Sequence, residues 1–347
     1  MIRAIVVDDS AYNRVTLSRM LESGGDVRVV ATAVNGEDAI KQALRYKPDV
    51  LTLDLEMPVL DGFAFLRWLM VNRPTPVIVV SSRASDRSVF KALEFGAVDF
   101  IVKPGGRVSP KLEEIQDKLL AKVRQVLNIT LDNVKKRIYE EEQRKPEEQR
   151  PPITGPQSVD LVAIGSSTGG PPALQQLFEL TPLLPVPFIV AQHMPPIFTR
   201  LFAERVDRLS AYRVKEAEDG ETLQPGTVYI APGGFQCEVY RSFDELHARV
   251  LERQKSDLYA PSVNRLFTTA SDACGSRLLA VVLTGMGDDG AQGVRKVFER
   301  GGQTIAESPS TAIIFGMPGE AIKTGSVREV LPLPQIPAAI HRICTST

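Results

Sequence analysis

Cysteine is scarce in this chain of 347 residues: Cys237, Cys274 and Cys344 are odd in number and unevenly spaced. That excludes a disulfide framework and a structural zinc site built on paired thiols, and it fits a reducing compartment. Histidine is equally scarce, so imidazole chemistry has three candidates, His193, His247 and His341. Neither charge sign dominates, with 41 Lys and Arg against 42 Asp and Glu, which argues against a nucleic-acid or anionic-membrane surface and for protein partners. No apolar run approaches bilayer-spanning length. Arg3-Ala-Ile-Val-Val7 already reads as a strand, leaving no room for a signal peptide, so a cytoplasmic protein without membrane insertion is expected.

The length favours two domains. From residue 1 to about 124, apolar runs (Ile5 to Val7, Val27 to Val34, Val50 to Leu53, Val77 to Val80, Val98 to Val102) alternate with amphipathic helical spacing. This predicts a five-stranded parallel α/β sheet. Polar residues gather where strands end: Asp8 and Asp9, Asp54 and Glu56, Ser81, and Lys103. Carboxylates converging at one sheet edge repel one another unless a hard cation lies among them, and magnesium suits such an oxygen-rich pocket. A lysine and a small hydroxyl beside it could neutralise and hydrogen-bond an incoming phosphoryl group. Residues 125 to 157 then become charged and end in Pro151-Pro152, which predicts a linker that begins as an extension of the preceding helix through Leu127, Leu131 and Val134.

The second domain, 158 to 347, opens on Asp160-Leu-Val-Ala-Ile-Gly-Ser-Ser-Thr-Gly-Gly-Pro-Pro172, an apolar strand running into a small-residue turn. Gly165, Ser167 and Gly169 fit G-x-S-x-G, the spacing that lifts a serine hydroxyl clear of a strand-to-helix turn. The same small-residue turn could also cradle a phosphate or serve only as a connection. His193 ends a second apolar run, in Ala191-Gln-His-Met-Pro-Pro196, whereas His247 and His341 read as surface residues. A third run, Leu278 to Leu283, breaks into Thr-Gly-Met-Gly-Asp-Asp-Gly290, so Asp288 or Asp289 could orient His193. Three strands that each end in one reactive group define a nucleophile, a base and an orienting carboxylate by role. Between them, Thr227 to Ala231, Gln236 to Tyr240 and Ala248 to Leu251, bracketed by glycine-rich turns, predict an antiparallel excursion from a mostly parallel, doubly wound α/β domain.

Asp8-Asp9, Asp54 in Leu53-Asp-Leu-Glu-Met-Pro58, Ser81 and Lys103-Pro104 resemble the flavodoxin-like receiver domain of two-component response regulators. The resemblance implies that Asp54 accepts a phosphoryl group from a histidine kinase. It implies further that Asp9, Asp54 and the Glu56 carbonyl hold Mg2+ with Asp8 assisting through water, that Ser81 and Lys103 contact the phosphoryl group, and that Phe100 is the responsive aromatic. Joined to Gly165-Ser-Ser-Thr-Gly-Gly170, Gln192-His-Met-Pro195, Leu283 to Gly290 and Phe315-Gly-Met-Pro318, this receiver gives nearly the whole chain a resemblance to the chemotaxis protein-glutamate methylesterase family. That family hydrolyses glutamate γ-methyl esters on methyl-accepting chemotaxis receptors, releases methanol and commonly deamidates receptor glutamines. By motif position the resemblance implies Ser167 as nucleophile, His193 as base, Asp289 as orienting carboxylate, and the N–H groups of Thr168 and Met286 as the oxyanion hole, with no cofactor in the esterase site. It also implies a chemotaxis histidine kinase as phosphodonor, and an unphosphorylated receiver that restricts access to the esterase cleft.

Five residues at four places depart from the family pattern and bear on substrate preference. Asp288 stands where asparagine is usual and adds a negative charge near His193; Gln236-Cys237 replaces a region that commonly carries histidine; Asn264 replaces an aspartate and Ser166 an alanine. A non-catalytic adaptor, with a receiver controlling a protein-binding domain, would be marked by a broken triad. A nucleotide-binding regulator would need a Walker lysine or a full dinucleotide glycine pattern, and the chain has neither.

Overall fold

A computed structural model describes residues 1–81, 86–104, 115–125, 129–136 and 158–345. The chain divides into two compact units, Met1–Arg144 and Lys145–Thr347, with the boundary inside the charged stretch. Among the described residues no helix is long and apolar enough to cross a membrane.

In the first unit, β1 (Ile2–Val7), β2 (Val27–Ala33), β3 (Val50–Leu53), β4 (Val77–Ser81) and β5 (Asp99–Val102) form a sheet of order β2-β1-β3-β4-β5. Every pairing is parallel. Helices α1 (Ala11–Glu22), α2 (Gly36–Tyr46), α3 (Gly62–Asn72), α4 (Asp86–Glu94) and α5 (Gln116–Gln125) make the crossovers. The first three start at Ser10, Asn35 and Asp61, each of which accepts a first-turn N–H with its side-chain oxygen. Central strands β3 and β4 are buried throughout, as a sheet covered on both faces requires. The strand order reverses between β1 and β3, which opens a crevice at their C-terminal ends.

The helical extension expected through Leu131 and Val134 is interrupted. Ile129 and Thr130 are not helical, and a new helical stretch over 131–136 begins with the Thr130 carbonyl accepting from the N–H groups of Asn133 and Val134. Two consecutive β-branched residues resist helical χ1 crowding, which accounts for the break. Leu127 and most of the linker lie outside the described residues.

The second unit holds a seven-stranded sheet. In chain order its strands are β6 (Leu161–Ser166), β7 (Phe188–Gln192), β8 (Arg213–Glu216), β9 (Thr227–Ile230), β12 (Leu278–Val282), β13 (Gln303–Glu307) and β14 (Glu329–Leu331). They lie in the order β14-β13-β12-β6-β7-β9-β8, every pair parallel. Among the described residues, β10 (Phe235–Ser242) and β11 (Glu245–Glu252) are the antiparallel strand pair of the expected excursion. Thr227–Ile230 does not belong to it: β9 pairs parallel with β7 and β8 and is buried along its length. The Gly220 and Gly226 turns mimic hairpin punctuation, but the segment between them runs back along β11, with the Gly220 and Leu223 N–H groups donating to the Ala248 and Leu246 carbonyls. Helices α6 (Gly170–Leu180), α7 (Pro196–Leu209), α8 (Val263–Cys274), α9 (Ala291–Glu299), α10 (Met317–Lys323) and α11 (Ile336–Thr345) complete the unit. Strands β6, β7 and β12 are neighbours, with β6 between the other two.

Candidate functional site

β6 ends on Ser166, and Ser167 and Thr168 form the turn into α6. Gly169 caps that helix at φ 77°, a left-handed conformation that side chains disfavour. Pro171 and Pro172 fill the first turn, where a missing N–H costs nothing. The turn is anchored from below by the Ser167 N–H donating to the Thr284 carbonyl at 3.1 Å. Behind it, Gln192 is 1% exposed and accepts from Ser166 Oγ at 2.7 Å. The same carboxamide donates through Nε2 to the carbonyls of Ser167 at 2.9 Å and His193 at 3.1 Å. One buried side chain therefore ties the Ser167 turn to the His193 turn.

His193 donates through Nε2 to Asp289 Oδ2 at 2.8 Å. Asp289 is 1% exposed and accepts three more hydrogen bonds: from the Val263 N–H at 2.7 Å, the Asn264 N–H at 2.8 Å and Ser262 Oγ at 3.0 Å. The two N–H groups open α8, so the carboxylate also meets the positive end of a helix dipole. Burial alone would raise the Asp289 pKa; the His193 hydrogen bond and charge, with the α8 N–H groups, outweigh it and hold the carboxyl below its usual value. An ionised Asp289 fixes the Nε2–H tautomer and leaves the Nδ1 lone pair of His193 available as a base. Asp288, the other carboxylate the sequence allowed, is exposed and makes no hydrogen bond to the imidazole. Tyr259 stacks on His193 with ring centroids 4.5 Å apart and planes 3° apart.

The Thr284–Asp289 turn lies directly against the serine turn. A β-carbon on Gly285 would stand 2.9 Å from both the N and Cβ of Ser167, so only glycine permits this approach. The Gly285 carbonyl accepts from the N–H groups of Gly316 and Met317, which explains the Phe315-Gly-Met-Pro318 motif as a strut beneath the turn. Thr168 and Met286, the expected oxyanion donors, are half-buried on these two abutting turns.

The departures from the family pattern have structural partners. Asn264 Oδ1 accepts from the N–H groups of Gly290 and Gly293 at 3.0 and 2.8 Å and so caps α9. Buried Gln236 donates to the Tyr259 carbonyl at 2.7 Å and accepts from the Ser262 N–H at 3.0 Å, holding the loop that carries both residues. Cys237 is a core residue, and burial pushes its thiol pKa up to about 12. His247 is not freely solvated: it stacks on Tyr240 and bonds to Thr222 through Nδ1. His341 lies in α11, half-buried.

At the β1–β3 crevice of the first unit, one ligand oxygen each from Asp8, Asp9 and Asp54 lies within 4.8 Å of the others. Lys103 is 1% exposed, donates to Asp8 Oδ2 at 2.7 Å and also bonds to Asp54. Burial, with the Asp8 charge adding to it, pushes the Asp54 pKa up more than Lys103 pulls it down. The Glu56 N–H donates to Asp54 Oδ1 at 3.2 Å. Ser81 is buried at the end of β4, and its carbonyl accepts from the Lys103 N–H at 2.9 Å. Phe100 is buried in β5. Asn13, not singled out by the sequence, is fully buried and donates to both Asp8 oxygens at 3.1 and 3.3 Å. Three clustered carboxylates suit a hard divalent cation with oxygen ligands.

Fold and site together define a class: two α/β units in one chain, one with the acidic pocket of a receiver and the other with serine, histidine and aspartate just beyond the ends of three adjacent strands. A CheB methylesterase family model matches residues 162–340, and a response regulator receiver domain model matches residues 4–111. Over 98% of its length the chain is 47% identical to 96% of a protein-glutamate methylesterase/protein-glutamine glutaminase of Myxococcus xanthus. A Geobacter sulfurreducens protein of the same description is 44% identical across 99% of this chain and 97% of its own. Among solved structures, the CheB methylesterase catalytic domain of Thermotoga maritima is similar with a TM-score of 0.51 at 42% identity, covering 52% of this chain and 97% of that one. The chain belongs to the CheB methylesterase family.

Proposed function

We propose that this chain hydrolyses glutamate γ-methyl esters on methyl-accepting chemotaxis receptors in the cytoplasm, releasing methanol, and deamidates selected receptor glutamines. The carrying observation is the His193–Asp289 hydrogen bond at 2.8 Å beside the Ser167 turn, at the ends of three neighbouring strands.

Ser167 Oγ attacks the ester carbonyl while its proton passes to His193 Nδ1. Asp289 stabilises the imidazolium from the Nε2 side. The N–H groups of Thr168 and Met286 meet the oxygen on which negative charge develops, the step where preorganised donors act most strongly. His193 returns the proton to the departing methanol, and water then releases the glutamate by the same steps in reverse order of proton transfer.

In the receiver, Asp54 accepts the phosphoryl group from the chemotaxis histidine kinase, and Ser81 and Lys103 contact it. Asp9, Asp54 and the Glu56 carbonyl would hold Mg2+, with Asp8 acting through water. The cation supplies charge neutralisation to the incoming phosphoryl group. Phosphorylation raises turnover by as much as it favours the accessible form of the esterase cleft.

The test is methanol release from methylated receptor membranes by the purified protein, with and without a small-molecule phosphodonor and Mg2+, beside Ser167→Ala. Release that needs Ser167 and rises with phosphodonor is expected. Phosphoryl uptake at Asp54 without methanol release would overturn the hydrolase reading.

A further inference from the structure

Tyr259 covers one face of the imidazole that carries the proton. Its own place is fixed by Gln236, which binds its carbonyl, and by the Gly234 N–H, which donates to the next carbonyl, that of Ala260, at 3.0 Å. At its far end the phenol oxygen lies against the Met286–Asp288 turn, where a β-carbon on Gly287 would approach it to 2.8 Å. The Nε2 bond to Asp289 holds one edge of His193 but leaves the ring able to tilt about that bond. A flat ring stacked at 4.5 Å removes the tilt.

We infer that Tyr259 is the positioning residue that holds His193 for delivery of the proton to the leaving group, and that it thereby sets how well this site cleaves amides relative to methyl esters. This rests on the methylesterase and glutaminase reading above. In both reactions the Ser167 Oγ–carbon bond forms, the Oγ proton moves to His193 Nδ1, and the same proton leaves with the departing group. Methoxide can depart with that proton only partly transferred and becomes methanol. An amide nitrogen cannot depart as an anion; it must gain the proton before or as the C–N bond breaks, and it leaves as ammonia. Hydrolysis of the resulting acyl-enzyme by water is common to both. Loosening His193 therefore costs the amide reaction more than the ester reaction.

Tyr259→Leu and Tyr259→Phe should be compared with the wild type on one methyl-accepting receptor in membranes, prepared in two forms. One form is methylated on its glutamates and read by methanol release; the other carries glutamine at the same positions and is read by ammonia release. In Tyr259→Leu, kcat for ammonia should fall about 100-fold and for methanol about 10-fold or less, within the range that general acid catalysis supplies. KM should hold within about twofold in each, since the ring positions a proton carrier and leaves ground-state binding unchanged. Tyr259→Phe keeps the stack and should preserve both rates. Equal losses on the two substrates, no loss, or a Tyr259→Phe enzyme as impaired as Tyr259→Leu would overturn the inference. If Tyr259→Leu does not melt cooperatively, Tyr259→His against Tyr259→Met repeats the contrast of flat ring with flexible chain. A wild-type enzyme that takes up phosphate but cleaves neither form overturns the hydrolase reading, and the inference falls with it.

Discussion

Asp54 and Asp289 occupy comparable places in the two units, each buried beyond the C-terminal end of a parallel strand, yet their acidities move in opposite directions. Asp54 lies among other carboxylates, with the Lys103 ammonium shared between it and Asp8. Asp289 lies among donors: an imidazole N–H, a hydroxyl and two N–H groups of a helix start. Burial raises both, and only donors aimed at the charge reverse it. The contrast matches the two tasks proposed above. An acceptor of a phosphoryl group benefits from an oxygen in an incompletely compensated site, whereas an orienting carboxylate must stay ionised through every turnover.

Removing the proposed nucleophile breaks the comparison most completely. Ser167→Ala should lower methanol release by about 10⁴-fold or more, while phosphoryl uptake at Asp54, followed with labelled phosphodonor, stays at the wild-type level. Asp289→Asn keeps the shape but supplies an amide that can present its donor to His193, so kcat should fall about 10³- to 10⁴-fold through the wrong tautomer. Gln192→Leu leaves Ser166 Oγ and two turn carbonyls without their buried partner. Each such loss costs ~1–3 kcal/mol, so the variant should lose stability in urea and about tenfold in kcat.

The smallest effects are expected in the receiver. Because the folded state raises the Asp54 pKa, this group favours folding fully below its unfolded pKa, and that contribution is lost as pH rises through the folded value. At neutral pH the charge opposes the fold, so Asp54→Asn should raise the melting temperature of the receiver transition, with the gain disappearing in acid. Asp289 has the opposite sign: its contribution is present above the unfolded pKa and is lost as pH falls through the depressed folded value. Val59, a β-branched residue at φ 69° in the loop after Asp54, adds backbone strain. Val59→Gly should therefore stabilise the receiver by ~1 kcal/mol, or a few degrees; an unchanged or lower melting temperature would count against strain at that residue.

The ends of strands were the legible part of this sequence. Ser167, His193, Asp8, Asp54 and Lys103 each follow an apolar run directly, so a local pattern sufficed to place them at sheet edges. What joins distant segments was not legible. Spacing alone left Asp288 and Asp289 equivalent, because the choice depends on α8 turning its first N–H groups toward one of them. Ser262 carried a readable signal, a serine preceding an apolar helix, as an N-cap. Tyr259 carried none, since an aromatic in a loop announces no neighbour. The parallel placement of β9 was hidden for a similar reason: glycine-rich turns mark where a chain bends and are silent about which strand it returns to.

The position of β6 between β7 and β12 also has a consequence for synthesis. A ribosome delivers the receiver complete, then β6 and β7 with Ser167 and His193, and only much later β12 with the turn that bears Gly285 and Asp289. Until then one edge of β6 lacks its partner, an exposed edge of the kind that favours mispairing. A chain truncated before Leu278 would carry Ser167 and His193 on an unfinished sheet, without the Asp289 carboxylate that bonds to the imidazole. In the proposed mechanism, hydrolysis therefore waits until the turn after β12 has been synthesised.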